Sequence, residues 1–125
     1  GEDLLDENGN IKYKNSEVTL PPRPSYSYAY CADTKYEESL IQYIASVDML
    51  YHEGTFLDDM RERAELTFHS TAAQAATLAL KAGVGKLILG HFSTRYKELN
   101  PLLEEALTVF KESYLGIEGS DFSPA

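Results

Sequence analysis

The sequence is poor in cysteine, tryptophan and long apolar runs, and each shortage excludes a class of protein. The single cysteine, Cys31, has no partner for an internal disulfide and lies in an apolar segment, which favours a small buried side chain over a reactive thiol. No stretch approaches the roughly 18 apolar residues of a membrane-spanning helix, and no secretory leader is recognisable. We therefore expect a cytoplasmic protein without a membrane association.

Basic residues are also scarce. Eleven Lys and Arg residues stand against twenty Asp and Glu residues, and the net charge of −9 is opposite in sign to the basic surface of most nucleic-acid-binding proteins. A phosphate-binding surface would therefore be local, assisted by a metal ion, or supplied by a part of the protein outside these 125 residues. This length corresponds to about one domain.

The chain divides into two parts by composition. Residues 1–27 lack the periodicity of regular structure; within them, Asn8-Gly9 predicts a tight turn that closes a hairpin, and Pro21-Pro22-Arg23-Pro24 predicts a surface linker. Residues 28–125 alternate between short apolar segments and amphipathic ones. We therefore predict an N-terminal hairpin and linker over residues 1–27 and a folded domain over residues 28–125.

The alternation in the second part predicts an α/β fold with a mostly parallel sheet, because a helix between two strands of one sheet makes a right-handed crossover. The third helix begins at the capping box Thr71-Ala72-Ala73-Gln74 and ends at Gly83, a suitable left-handed cap. We predict strands over residues 28–32, 47–51, 87–89 and 113–117, and helices over residues 36–46, 57–66 and 72–82 and from residue 100.

Candidate functional side chains follow the predicted strands. Asp33 comes after the first strand, His52 and Glu53 come after the second, and His91 comes after the glycine that ends the third. His69 precedes the capping box. Because open α/β folds bind ligands at the carboxyl edge of the sheet, we expect the aspartate and all three histidines to gather there. Histidine and carboxylate are metal ligands and acid–base groups, so the sequence predicts half of a reaction site.

Each of these residues also has a structural interpretation. Asp33 could cap the following helix, His69 could belong to a helix cap without chemistry, and Arg95 could be a solvated surface side chain. For His52 the structural role is favoured: we expect it to hydrogen-bond backbone and to brace the neighbouring loops. Thr71, as a helix cap, is likewise expected to support the structure.

Four motifs occur in order along the chain, and together they resemble the C-terminal half of the ribonuclease Z family, the tRNA 3′-processing endonucleases of the metallo-β-lactamase superfamily. The family's His-Glu-Ala-Thr motif has Gly54 in place of alanine here, which removes no functional group. The four motifs are Asp33-Thr34-Lys35-Tyr36, His52-Glu53-Gly54-Thr55-Phe56, His69-Ser70-Thr71-Ala72-Ala73-Gln74-Ala75-Ala76 and Gly90-His91-Phe92-Ser93-Thr94-Arg95-Tyr96.

The resemblance implies a fold and a set of roles. The fold is the C-terminal half of an αββα sandwich, with helices packed on a mixed, mostly parallel sheet. Asp33 would bridge two zinc ions and His91 would be a ligand of one of them. Glu53 would orient His69 beside the scissile phosphate, where the histidine would protonate the leaving 3′ oxygen. Arg95, supported by Ser93, is expected to contact a phosphate near the acceptor end of precursor tRNA.

The family's other zinc ligands are missing from the sequence. They lie in an upstream His-x-His-x-Asp-His motif and in a further histidine, whereas the three histidines here are at least 17 residues apart. A catalytic zinc takes about three protein ligands and a water. We therefore expect the chain alone to bind zinc weakly or not at all and to need the missing N-terminal half for cleavage. The uncovered sheet edge and the apolar helix faces that would meet that half also predict a homodimer.

Two other functions stay open. The chain could be a non-catalytic half-domain that acts through association, with vestigial residues at the strand ends. It could also be a metallo-β-lactamase-type phosphodiesterase with another substrate. The His-Glu and His-Ser-Thr motifs favour tRNA processing.

Overall fold

The computed structural model describes all 125 residues and contains six strands and five helices. The strands are β1 (Leu4–Leu5), β2 (Ile11–Tyr13), β3 (Tyr28–Cys31), β4 (Met49–Glu53), β5 (Lys86–Gly90) and β6 (Ser113–Leu115). The helices are α1 (Asn15–Val18), α2 (Ile41–Ile44), α3 (Arg61–Leu66), α4 (Ala72–Ala82) and α5 (Asn100–Leu107). None of these helices combines the length and apolar character needed to cross a membrane.

A four-stranded parallel sheet lies at the centre of the fold. Its strand order, β3-β4-β5-β6, follows the chain, and every neighbouring pair is parallel. The strands therefore all point their carboxyl ends towards one edge of the sheet, as predicted from the alternation of strands and helices. Strands β1 and β2 form a separate antiparallel hairpin. The predicted α/β fold is confirmed, and the central sheet is parallel throughout rather than mixed.

One face of the sheet packs against α4 and α5. Leu50, Leu87 and Leu89 are fully buried on this face, because successive side chains of a strand point to opposite sides of the sheet. Six of the eleven residues of α4 are buried, and five of these are alanines, so the helix backbone lies close to the strands. Cys31 packs at the margin of this core, and burial raises the pKa of its thiol, in agreement with the unreactive interpretation.

The opposite face of the sheet carries aromatic side chains and is exposed along β3, whereas Ile88 of β5 is buried on it. The tyrosine face consists of Tyr28, Tyr30, Tyr51 and Tyr114, three of which are more than a third exposed. The Tyr30 and Tyr51 rings stack with their centroids 4.6 Å apart. The Tyr51 phenol lies against the backbone of Gly90. The Cβ atom of any other residue at this position would overlap the tyrosine hydroxyl.

Helix α4 begins and ends as the sequence predicts. The Thr71 Oγ1 accepts a hydrogen bond from the Gln74 backbone at 3.1 Å, and the Gln74 Oε1 accepts one from the Thr71 backbone at 3.0 Å. Gly83 ends the helix with a φ of 64°.

Glu105 ties α5 to the starts of two other segments, a role that the sequence analysis missed. Its carboxylate accepts hydrogen bonds from the backbone of Asp58, at 3.0 and 3.1 Å, and of Ala73, at 3.0 Å. A carboxylate at the beginning of α4 also interacts favourably with the helix dipole.

Several predicted segments differ from the structure; the last strand, for example, ends at Leu115 rather than at residue 117. The second strand of the central sheet begins two residues later than predicted and continues to Glu53, because its last residues pair with β5 up to Gly90. The first helix is much shorter than predicted: a single 3₁₀ turn, Glu38–Leu40, leads into α2, and the chain then turns at Ser46 with a φ of 59°. The shifted strand changes the surroundings of His52.

Candidate functional site

Four side chains converge at the carboxyl edge of the central sheet. Asp33 follows β3, Glu53 ends β4, His91 follows β5, and His69 lies just before α4. One candidate ligand atom from each residue lies within 4.8 Å of those of the other three. The parallel strands bring these residues together from positions up to 58 residues apart in the sequence, as their common polarity predicts.

Asp33 and His91 face each other at the outer side of the cluster. The Asp33 Oδ1 lies 3.2 Å from the His91 Nε2, and the two side chains are 76% and 40% exposed. Both residues have a left-handed backbone, with φ of 49° and 56°. Such a backbone is strained in residues other than glycine and is common at functional sites. Asp33 caps no helix, since the cap of the following turn is Glu37.

Glu53 lies at the buried centre of the cluster, with no exposed surface. Its carboxylate accepts hydrogen bonds from the Thr34 backbone at 2.7 Å, the Ser70 backbone at 2.8 Å and the Thr55 hydroxyl at 2.6 Å. It also lies 3.1 Å from the His69 Nδ1. One carboxylate thus connects the loop that holds Asp33, the loop that holds His69 and the end of β4. These bonds occupy both of its oxygens.

The bond to Glu53 orients His69. Its Nδ1 donates to the carboxylate, which leaves its Nε2 available for other chemistry. The His69 and His91 rings lie close to each other, with centroids 5.2 Å apart. His69 does not cap α4, because Thr71 does.

Thr55 joins the Glu53 carboxylate to His91. Its Oγ1 lies 2.6 Å from Glu53 Oε2, 3.0 Å from His91 Nδ1 and 2.8 Å from the His91 carbonyl oxygen. The hydroxyl has one proton, which we assign to the shortest of these contacts, so the hydroxyl oxygen accepts the Nδ1 proton of His91. With Nδ1 bonded to Thr55, Nε2 is the nitrogen of His91 that faces Asp33. Thr55 was not predicted as a site residue, although it lies only two residues after Glu53 in the sequence.

His52 does not join the cluster. It lies inside β4 on the face that packs against the helices, and it is fully buried. Its Nδ1 donates to the Glu53 carbonyl at 2.8 Å, and its Nε2 has no hydrogen-bond partner. Burial lowers the pKa of the imidazole below its ordinary value. The expectation that all three histidines share the edge is therefore wrong for His52, because β4 runs two residues further than predicted.

Arg95 and Ser93 lie beside the cluster on the loop after β5. The Arg95 guanidinium stands 5.2 Å from the centre of the Phe56 ring, and the Phe56 and His69 rings meet edge to face with centroids 6.1 Å apart. The Ser93 backbone donates to the Thr55 carbonyl at 3.0 Å, which fixes the loop to the end of β4. The exposed Arg95 has no carboxylate partner, so its charge is available to an anion.

The donors at the outer side of the cluster fit a transition metal such as zinc. Imidazole nitrogen and carboxylate oxygen are ordinary zinc ligands, and Asp33 and His91 supply one of each at a partly exposed position. Glu53 is not available as a ligand, because its oxygens accept hydrogen bonds from three loops. Asp33 and His91 by themselves are fewer ligands than a zinc site usually has.

Comparison with known sequences identifies close relatives. A ribonuclease Z of Cytophaga hutchinsonii is 54% identical over 122 residues, which are 98% of this chain and 39% of that protein. A ribonuclease Z of Porphyromonas gingivalis is 48% identical over 111 residues, which are 89% of this chain and 36% of that protein. The chain thus spans less than half the length of the curated relatives it matches. No model of a protein family matches the chain.

Solved structures share the fold. The metallo-β-lactamase fold protein YhfI of Bacillus subtilis aligns with a TM-score of 0.67 and 30% identity over 73% of this chain and 36% of that one. A long-form RNase Z from yeast gives 0.62 and 28% over 71% and 12%. The short form of human tRNase Z gives 0.54 and 28% over 68% and 27%. The chain is therefore similar to ribonuclease Z over nearly its whole length and has the metallo-β-lactamase fold over the part that it spans.

Proposed function

We propose that this chain carries part of the active site of a zinc-dependent endoribonuclease that processes the 3′ end of precursor tRNA. The observation that carries the proposal is the convergence of Asp33, Glu53, His69 and His91 within 4.8 Å. This cluster combines two free metal-ligand donors with a histidine held by a buried carboxylate. The names of the relatives, ribonuclease Z and tRNase Z, supply the substrate class.

Asp33 and His91 are the residues that would hold metal. When bound there, zinc supplies a Lewis acid for the scissile phosphate and a hydroxide at neutral pH. Thr55 holds the Nδ1 side of the His91 ring, so Nε2 is the nitrogen that would bind metal. The remaining ligands would come from a part of the protein outside this chain, for which we propose the N-terminal half. The relatives are long enough to contain one, since the chain spans 39% of one of them.

His69 is the proposed general acid. The Glu53 carboxylate accepts the Nδ1 proton at 3.1 Å and stabilises the positive charge of the protonated ring. The Nε2 proton then passes to the leaving 3′ oxygen as the bond between that oxygen and phosphorus breaks. The products are a tRNA with a 3′ hydroxyl group and a trailer with a 5′ phosphate. Such proton transfer contributes about 10²- to 10⁴-fold in rate.

Arg95 is the proposed phosphate contact, with Ser93 holding its loop. The guanidinium has a free charge, and it is positioned by the Phe56 ring, which also faces His69. A single arginine suits a chain with a net charge of −9, because attraction for RNA has to be concentrated at the site.

We further propose a cytoplasmic location and self-association of the chain as a homodimer through the tyrosine face. This face is the support for the alternative function, a half-domain that acts by association. The likeness to YhfI, whose title names a fold rather than a nuclease, supports the other alternative, a phosphodiesterase with another substrate.

Cleavage of precursor tRNA tests the proposal. The protein encoded by the natural reading frame that contains the chain is purified with zinc and compared with Asp33→Ala and His69→Ala variants. We expect cleavage after the discriminator base and its loss in both variants. Asp59→Ala is a matched control, because Asp59 is exposed and lies outside the cluster. Full activity in either site variant would overturn the assignment.

A further inference from the structure

The chain places a phenylalanine where a helix end favours glycine. After α3 the His69 backbone donates to the Ala64 carbonyl at 2.7 Å, and the Phe68 backbone donates to the Glu65 carbonyl at 3.3 Å. These two bonds form a Schellman motif, in which Phe68 occupies the left-handed position with a φ of 59°. Glycine is the usual residue at this position because it has no Cβ to clash with the backbone.

The strain at Phe68 is not offset by burial. The side chain is 66% exposed, so the ring gains little from contact with the core. Both the left-handed backbone and the exposure of a large aromatic side chain are unfavourable for stability. Such departures are typical of functional positions. Two of the other three non-glycine residues with positive φ, Asp33 and His91, belong to the candidate site.

The position of Phe68 in the chain connects it to the proposed chemistry. It is bonded directly to His69, so their Cα atoms are separated by about 3.8 Å, the step across a trans peptide. The His69 ring meets the Phe56 ring edge to face, with centroids 6.1 Å apart, and the Arg95 guanidinium stands 5.2 Å from the centre of the Phe56 ring. This corner therefore combines an acid–base group, a free positive charge and an exposed aromatic ring.

We propose that Phe68 is a stacking platform for a nucleobase that flanks the scissile phosphate. This inference rests on the proposed function. An unpaired RNA strand is bound chiefly by stacking of its bases on aromatic side chains, combined with positive charge at its phosphates. Phe68, the neighbour of His69 in the chain, and Arg95, beside the Phe56 ring, supply these two elements. Stacking does not depend on the surface charge, which allows an acidic protein to hold RNA at this point.

Substitutions at Phe68 separate stacking from folding. In the protein encoded by the natural reading frame, Phe68→Leu and Phe68→Gly should raise the KM for precursor tRNA about 5- to 150-fold, the range that corresponds to 1–3 kcal/mol per stacked base. Phe68→Tyr keeps an aromatic ring and should leave KM close to that of the unchanged protein. Phe68→Gly should also raise the melting temperature, because glycine relieves the left-handed strain.

A substrate without the base sharpens the test. Precursor tRNAs with an abasic nucleotide on either side of the cleavage site should show a raised KM with the unchanged protein for one of the two positions. That substrate should show no further increase with Phe68→Leu, because the stacking partner is already absent. A KM unchanged in Phe68→Leu, while His69→Ala abolishes cleavage, would overturn the inference and leave the proposed function intact. Absence of cleavage by the unchanged protein would overturn both.

Discussion

At the scale of single residues, the site depends on one buried carboxylate and the hydroxyl beside it. Glu53 fixes three loops, and Thr55 transmits its position to His91. Neither oxygen of Glu53 is left for a metal, so the residue contributes by positioning the groups that bond to it. Among the groups that bond directly to Glu53, His69 has a free ring nitrogen at the edge of the sheet.

Removing the Thr55 hydroxyl should weaken metal binding more than it weakens the fold. Thr55→Val keeps the shape of the side chain but frees the Nδ1 proton of His91, so the ring can turn and present the wrong nitrogen. We expect a loss of about 10- to 100-fold in zinc affinity of the protein encoded by the natural reading frame, measured by competition with a chelator. Thr55→Ser retains the hydroxyl and should stay close to the unchanged protein. Equal affinities for the valine and serine variants would contradict this role.

His52 should make stability depend on pH. Burial lowers the pKa of its imidazole in the folded state, so the unfolded chain binds the proton more readily. The free energy of unfolding should therefore decrease as the pH falls below about 6.5, the pKa of histidine in an unfolded chain. It should decrease until the lowered folded-state pKa is passed. Urea denaturation across this range measures the effect.

The control for this prediction is His52→Phe, which keeps an aromatic ring that cannot be protonated. The difference in unfolding free energy between the unchanged chain and this variant isolates His52 from the other two histidines. A difference that does not change with pH would show that His52 contributes nothing to acid sensitivity.

At the scale of helices and strands, the sequence predicts those element ends that depend on neighbouring residues in the chain. The capping box at Thr71 and the left-handed cap at Gly83 gave the bounds of α4, because each signal acts within one helix turn. The end of β4 could not be predicted in this way. It depends on pairing with β5, whose residues lie about forty positions further along the chain. The error at β4 is the reason that His52 was grouped with the site.

The Thr71 cap is a testable support of α4. Its hydroxyl accepts a hydrogen bond from the Gln74 backbone and donates one to Asp58 Oδ1 at 2.9 Å. Thr71→Val should lower the free energy of unfolding by about 1 kcal/mol, within a range of about 0.5–2 kcal/mol, as measured by urea denaturation. Thr71→Ser preserves both bonds and should lose less. If the serine variant were the less stable one, packing of the methyl group would matter more than the cap.

At the scale of the whole molecule, helices cover one face of the central sheet, whereas the other face is only partly covered. Helices α4 and α5 cover the first side, while the tyrosine face remains accessible. The difference between the two faces is already present in the sequence of β3, where tyrosines alternate with Ala29 and Cys31. It could not be interpreted there, because tyrosine occurs both in packed cores and at surfaces. Only the assembled sheet shows that several strands turn their tyrosines to the same side.

Self-association should depend on this face. Sedimentation at increasing concentrations of the 125-residue chain should reveal a dimer, and Tyr30→Glu should weaken it by placing a charge among the aromatic rings. Tyr43→Glu makes the same change at a tyrosine that is 77% exposed on α2, and it should leave association unchanged. A monomer at all concentrations, or equal weakening by both variants, would exclude the tyrosine face as the interface.

Tyr51 connects the two sides of this contrast. Its ring belongs to the stacked pair on the open face, and its hydroxyl end covers the backbone of Gly90, the residue before His91. A partner molecule that binds this face and displaces the Tyr51 ring would therefore also shift Gly90 and the proposed metal ligand His91. Self-association and metal affinity in this protein would then be coupled, because both depend on the position of the Tyr51 ring.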